Sequence, residues 1–346
     1  MKALVLAPFT PEALAQLGEL LPVTYETWTE TRRLADPEGL ARRIEAKGYS
    51  IVVVEADFLP EELFRDAPSL RLVGVCRSSL DHVDVAAATR HGVAVINTPG
   101  RNAQAVAELT IGLMLSLARR LPDLDAYVKG GRWQNPVEPY IHLRGSELSG
   151  KTLGILGLGR VGRRLTYLAQ AFDMRVLAYD PFLAAELPRS EISPDPPFQT
   201  EKLDSQVQVM PTLPGLLGQC DYVSIHVPDT PATERLLDGE MLAATKLGCR
   251  IINTSSYRAV DEAALVEALK AGRLAGAAFD VFATHPIAPN NPLLRLDNVV
   301  LTPHIGGATQ ETVGRHSFLI VEDIRRFLQG LPPKHLVNPE IWWCSA

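Results

Sequence analysis

The sequence predicts an α/β protein of two doubly wound units, each a parallel sheet with helices on both faces. Short apolar runs alternate with helical patterns along almost the whole chain, as strands joined by crossover helices do. That series is interrupted by one long apolar helical pattern and then begins again. A length of 346 residues accommodates two such units with substantial cores.

In the first series, strands are expected at "KALVLA", "VTYETW", "IVVVE", "RLVGVC" and "VAVIN". The opening "MKALVLAPF" has the look of a short export signal. Its apolar run is brief, however, and leads into the amphipathic pattern "TPEALAQLGELL", so it reads as the first strand. Asn102 is placed to cap the helix in "NTPGRNAQAVAELTIGLMLSLARRL". A helix that apolar is buried on nearly every side, as an interdomain or intersubunit helix is. The second series runs through "KTLGILGLGRVG", "RVLAYD", "DYVSIHVP", "RIINTS", "AAFDVF" and "NVVLTPH". Residues 182–215 break the rhythm with several prolines and mixed charge and read as an extended surface loop. The last helical pattern, "TQETVGRHSFLIVEDIRRFLQG", can return the chain to the first unit.

Hydrophobic content of 46% and charged content of 21% suit a globular protein in water. The net charge of −6 argues against nucleic-acid or anionic-membrane partners. No run approaches the roughly 18–20 apolar residues that span a bilayer. Cys76, Cys220, Cys249 and Cys344 show neither metal-ligand spacing nor a disulfide framework, and suit buried thiols in a reducing cytoplasm.

"GILGLGRVGRRL" places Gly157, Gly159 and Gly162 in the G-x-G-x-x-G pattern between a strand and a helix. The first glycine permits the tight turn, the second lets backbone approach a pyrophosphate, and the third lets helix and strand pack closely. The amides of Arg160, Val161 and their neighbours then face the phosphates at the helix N-terminus. About twenty residues on, Asp180 ends the next strand, where a carboxylate accepts from ribose hydroxyls and repels a 2′-phosphate, favouring NAD over NADP.

Taken together, "VINTPGRNAQAVAE", "LGILGLGRVG", "DYVSIHVPDTPAT", "INTSSYRAVDEAAL", "GAAFDVF" and "LTPHIGGATQE" resemble the D-2-hydroxyacid dehydrogenase family, in the branch that includes phosphoglycerate dehydrogenase. The resemblance covers nearly the whole chain. It implies a Rossmann NAD-binding domain, residues 102–304, inserted into a flavodoxin-like substrate domain built from residues 1–101 and 305–346. It also implies an active site in the cleft and a homodimer that uses the helix near Asn102–Arg120. Members carry an arginine, a glutamate and a histidine: the arginine holds the oxo acid, and the histidine, paired with the glutamate, moves the hydroxyl proton. His304 matches the histidine. Asp280 matches the residue that bonds the nicotinamide carboxamide. Thr254, Val227, Pro228, Gly306 and His304 are implied to lie along the cofactor, and Asn102 near the substrate.

Two of the three catalytic positions depart from that pattern. Ser256 and Tyr257 stand where the family has arginine and glycine, and His285 stands where it has glutamate. The loop that holds the substrate carboxylate, usually rich in glycine, reads Arg77, Ser78, Ser79. Losing a positioned donor to an oxyanion costs about 3–4 kcal/mol, and an imidazole beside His304 does not stabilise an imidazolium as a carboxylate does. Arg77 from the carboxylate loop, Arg258 two residues along, or the Tyr257 phenol can supply the missing donor. Three readings stay open here: an NAD-dependent oxidoreductase for a 2-hydroxy or 2-oxo acid with a remodelled site, an NAD(H)-binding sensor or scaffold that has lost hydride transfer, and an NAD-linked reaction on a substrate without a carboxylate, against which Arg77 counts.

Overall fold

The computed structural model describes residues 1–181 and 207–343, so most of the expected loop at 182–215, and Cys344, lie outside the described residues. The backbone divides into two units, Met1–Arg101 with Ala308–Ala346, and Asn102–Gly307. The second junction falls three residues beyond the expected one.

In the first unit the order is β1 (Ala3–Val5), α1 (Pro11–Leu20), β2 (Val23–Tyr25), α2 (Trp28–Thr31), α3 (Pro37–Lys47), β3 (Ile51–Val54), α4 (Glu61–Asp66), β4 (Leu72–Val75), α5 (Val85–Arg90) and β5 (Ala94–Asn97). The strands pair in parallel in the order β2-β1-β3-β4-β5. That is the flavodoxin-like order. The central strands are continuous runs of Val, Ile and Leu because both faces of the sheet are covered. Thr10, Asp36 and Asp84 start α1, α3 and α5 by accepting from the N–H three residues on, which satisfies a donor the helix itself leaves orphaned.

The second unit continues with α6 (Ala103–Arg119), α7 (Leu121–Lys129), α8 (Val137–His142), β6 (Thr152–Leu156), α9 (Arg160–Ala171), β7 (Arg175–Tyr179), β8 (Gln208–Val209), α10 (Leu213–Leu217), β9 (Tyr222–Ile225), α11 (Gly239–Ala244), β10 (Cys249–Asn253), α12 (Glu262–Lys270), β11 (Leu274–Phe279) and β12 (Val299–Leu301). Its parallel sheet has the order β12-β11-β10-β9-β6-β7-β8, the Rossmann order extended by one strand. The edge strand β8 falls inside the expected loop; two residues flanked by proline and polar side chains carry no periodicity to reveal it. Asn102 stands at the start of α6, as expected, but makes no side-chain cap bond; its amide lies against the backbone at Gly307, where an added Cβ would come within 3.1 Å. The chain ends in α13 (Gln310–Leu328) and α14 (Glu340–Trp343), and α13 packs Ile320, Val321 and Ile324 into the core of the first unit.

A buried polar cluster ties α13 to the carboxyl edge of that first sheet. Arg101 donates to Nδ1 of His316 at 2.6 Å and pairs with Glu55 at 2.6 Å. Because a guanidinium only donates, His316 carries its proton on Nε2, which donates to the Pro8 carbonyl at 2.7 Å. Burial pushes His316 down to about 4; the Pro8 carbonyl opposes this and Arg101 adds to it. A neutral folded histidine with an ordinary unfolded value near 6.5 contributes stability above that pH and loses it as pH falls toward 4, by up to roughly 3 kcal/mol. Urea midpoints of the parent protein should therefore drop more between pH 7 and 4.5 than those of His316→Gln, which keeps an acceptor for Arg101 and a donor for Pro8. Equal drops would show that His316 does not carry this acid sensitivity.

Candidate active site

Every strand of the second sheet runs the same way, so the turns after β6, β7, β9, β10, β11 and β12 share one edge. The glycine-rich turn follows β6. Gly157 adopts φ +89°, and a Cβ there would meet the His226 carbonyl at 2.6 Å, so the close approach to the end of β9 requires glycine. That approach sets Val227 and Pro228 beside the turn. Gly162 is packed harder still, since its Cβ would lie 2.3 Å from the Gly157 carbonyl oxygen. Gly159 is different: among the described residues a Cβ there meets nothing within 4 Å, and no side chain caps α9, which opens with Arg160 and Val161. An uncapped helix N-terminus behind open space fits a pyrophosphate. Asp180, at the end of β7, accepts from the Leu158 N–H at 2.9 Å, so the carboxylate expected on the ribose also braces the turn. Arg163 donates to the Leu158 carbonyl at 3.0 Å; burial lowers its guanidinium from the ordinary value, and Asp180 works against that.

After β11 and β12 lies the part of the edge that carries chemistry. Asp280 is 1% exposed. Its Oδ1 accepts from the Thr302 hydroxyl at 2.6 Å and the Ile305 N–H at 3.0 Å, and its Oδ2 accepts from the Gly306 N–H at 2.7 Å. Both oxygens thus hold the 302–306 turn, a task the expected contact with nicotinamide does not include. Gly306 must be glycine for this approach, because a Cβ would sit 2.9 Å from Asp280 Oδ2. Within the turn His304 adopts the left-handed conformation, φ +55°, which costs a residue with a Cβ about 1–2 kcal/mol. His304 Nδ1 meets His285 Nε2 at 2.8 Å, the rings 4.8 Å apart. His285, expected where the family pattern has glutamate, thus lies in hydrogen-bond contact with His304. Both rings are exposed.

The segment after β10 is built around Asn253, which is fully buried, donates from Nδ2 to the Ser256 carbonyl at 2.8 Å and accepts from the Ser255 N–H at 3.1 Å. This folds Ser256 inward: it is 5% exposed and its Oγ has no partner among the described residues. Ser256 is therefore not presented as a donor in place of a guanidinium. Tyr257 is, at 41% exposure. Arg258 is held by Glu234 at 2.7 Å and Asp229 at 3.8 Å, so the alternative of Arg258 reaching a substrate requires breaking ion pairs. Thr254 faces α6, its hydroxyl 3.3 Å from that of Thr110.

At the carboxyl edge of the first unit, Arg77, Ser78 and Ser79 follow β4. Ser78 Oγ accepts from the Gly100 N–H at 3.1 Å and donates to the Thr98 carbonyl at 3.4 Å, and Ser79 donates to Asp81 at 2.5 Å. Both serines shape the loop. The exposed Arg77 guanidinium has no hydrogen bond or ion pair among the described residues, whereas Arg101 nearby is neutralised by Glu55. Sequence reasoning missed Asn253, Thr302 and the Glu55–Arg101 pair. Only the acid ending the "VVVE" strand gave any signal, since a charge closing a fully apolar run needs a partner.

Two changes test these assignments. Gly162→Ala should weaken NADH binding about tenfold or more, read by titrating NADH fluorescence, because overpacking at the turn displaces α9; unchanged affinity would detach the turn from the cofactor. Ser256→Ala should raise the urea midpoint, since an orphaned buried hydroxyl costs about 1–3 kcal/mol, and leave NADH affinity as it was. A lowered midpoint would reveal a partner for the hydroxyl.

Known proteins bear on this geometry directly. Residues 111–306 match the sequence model of the D-isomer specific 2-hydroxyacid dehydrogenase NAD binding domain. A glyoxylate reductase of Thermofilum pendens is 38% identical over 304 residues, 88% of this chain and 85% of that protein. A D-3-phosphoglycerate dehydrogenase of Archaeoglobus fulgidus is 37% identical over 98% of this chain, which spans only 59% of that longer protein. Among solved structures, a protein of Thermus thermophilus superposes with a TM-score of 0.80 at 35% identity, covering 97% of this chain and 100% of that one. The glycine-rich turn, the Asp280-braced histidine and these likenesses agree: the chain belongs to the D-isomer specific 2-hydroxyacid dehydrogenases, and its second unit is their NAD-binding domain.

Proposed function

We propose that the protein is an NAD-dependent oxidoreductase that interconverts a 2-hydroxy acid and a 2-oxo acid. The observation that carries this reading is His304, locked by Asp280 in a left-handed turn on the same sheet edge as the pyrophosphate-ready turn of Gly157–Gly162. A histidine held so rigidly at a cofactor edge is placed for proton transfer. Bound NADH supplies the hydride in the reducing direction.

His304 gives the carbonyl oxygen its proton, or takes the hydroxyl proton in reverse. Arg77 anchors the carboxylate, the task for which an unpaired guanidinium at a sheet edge is suited. Tyr257 polarises the carbonyl with its exposed phenol. Ser256 and Arg258 receive no chemical role, one being buried and the other paired. The names of the relatives, glyoxylate reductase and D-3-phosphoglycerate dehydrogenase, support small 2-oxo acids as the substrate class.

The protein works as a homodimer on this reading. Support comes from exposed Leu121, Val128, Trp133, Val137, Tyr140 and Ile141 on and between the helices that follow α6, an apolar run of the kind that partners cover. Buried Cys76, Cys220 and Cys249 fit a reducing cytoplasm. No helix among the described residues is long and apolar enough to cross a membrane.

NADH consumption with glyoxylate and with hydroxypyruvate, and NAD reduction with D-3-phosphoglycerate, should show turnover on at least one. With that substrate, His304→Ala should lower kcat by about a hundredfold or more, and Arg77→Ala should raise KM about tenfold or more with NADH affinity unchanged. Silence on all 2-hydroxy and 2-oxo acids tried, with NADH still bound, would replace this reading with a nucleotide-binding module that has lost hydride transfer.

A further inference from the structure

The family's histidine is supported by a carboxylate; here its neighbour is a second imidazole of the same intrinsic basicity. From this geometry we infer that His285 is a proton relay, passing protons between solvent and the substrate-facing nitrogen of His304. The inference rests on the proposed reaction.

Three observations build the wire. His304 Nδ1 and His285 Nε2 are 2.8 Å apart, within direct proton-transfer reach. The contact uses Nδ1 of His304, so the nitrogen across that ring, Nε2, is the one that serves the substrate. His285 is exposed, and its remaining nitrogen, Nδ1, has no partner among the described residues, so water reaches it. Phe282 packs edge-on against the His285 ring, ring centres 6.4 Å apart, and limits how far the ring can swing.

The step balances as follows in the reducing direction. NADH supplies a hydride to the carbonyl carbon, and the His304 Nε2–H proton goes to the carbonyl oxygen. His304 Nδ1 takes the proton from His285 Nε2, and His285 Nδ1 takes one from water or a buffer acid. Each ring loses one proton and gains one, so both exchange tautomers and neither ends charged. After product leaves, exchange with water at both outer nitrogens restores the starting tautomers. In the oxidising direction every transfer is reversed. A carboxylate holds a proton far less firmly than imidazole does, so the glutamate of relatives stabilises an imidazolium, whereas the His285 ring can both give a proton at one nitrogen and take one at the other.

The test uses full-length protein and the best of glyoxylate, hydroxypyruvate and D-3-phosphoglycerate. The apo protein should show a downfield imidazole N–H resonance from the shared proton, lost in both His285→Ala and His304→Ala. His285→Ala should lower kcat about tenfold to a hundredfold in dilute buffer, with NADH affinity unchanged, and added imidazole should restore the rate saturably. His285→Gln, which can still hydrogen-bond His304 Nδ1 but cannot pass a proton on, should remain slow. If His285→Gln is as fast as the parent, or His285→Ala is slow and imidazole does nothing, His285 only positions His304 and the relay is wrong. Absence of the shared-proton resonance also overturns it. If the parent protein turns over none of the three, the reaction itself fails, and the relay with it.

Discussion

The turn that carries His304 depends on one buried carboxylate. Asp280 closes β11 with both oxygens committed to the turn after β12, and that commitment holds His304 in a left-handed backbone. A carboxylate taken out of water is costly unless its lone pairs are filled. Two backbone N–H groups and a threonine hydroxyl fill them, and the same bonds offset the strain at His304.

With the brace in place, the departures from the family pattern fall into a physical order. His285 lies beside His304, the contact on which the proposed relay rests. Ser256 does not inherit the work of an arginine, because Asn253 pins the segment so that the short side chain turns inward. Arg101 is neutralised by Glu55 and Arg258 by Glu234, whereas Arg77 has no ion pair among the described residues, which is why the proposed reaction assigns the carboxylate to Arg77. Charge pairing thus selects among candidates that sequence position alone treats alike.

Sequence by itself determined the fold class and the cofactor turn. Continuous Val and Ile runs separated by helical periods permit little besides parallel sheets covered on both faces, and Gly157 and Gly162 mark close approaches that only glycine allows. Those are local constraints, written in spacing and residue size. The match of His304 to the family's histidine is likewise a reading of a contiguous motif. Tertiary structure alone decided what the polar side chains do. The pairing of His285 with His304 spans 19 residues, that of Arg101 with His316 spans 215, and the bonds of Asp280 reach 22 to 26 residues ahead. It also decided that Asn102 would not cap its helix and that Ser256 would face inward. Hydrogen bonds and ion pairs depend on distances held to within a fraction of an ångström between groups far apart in the chain, and no pattern of adjacent residues encodes them.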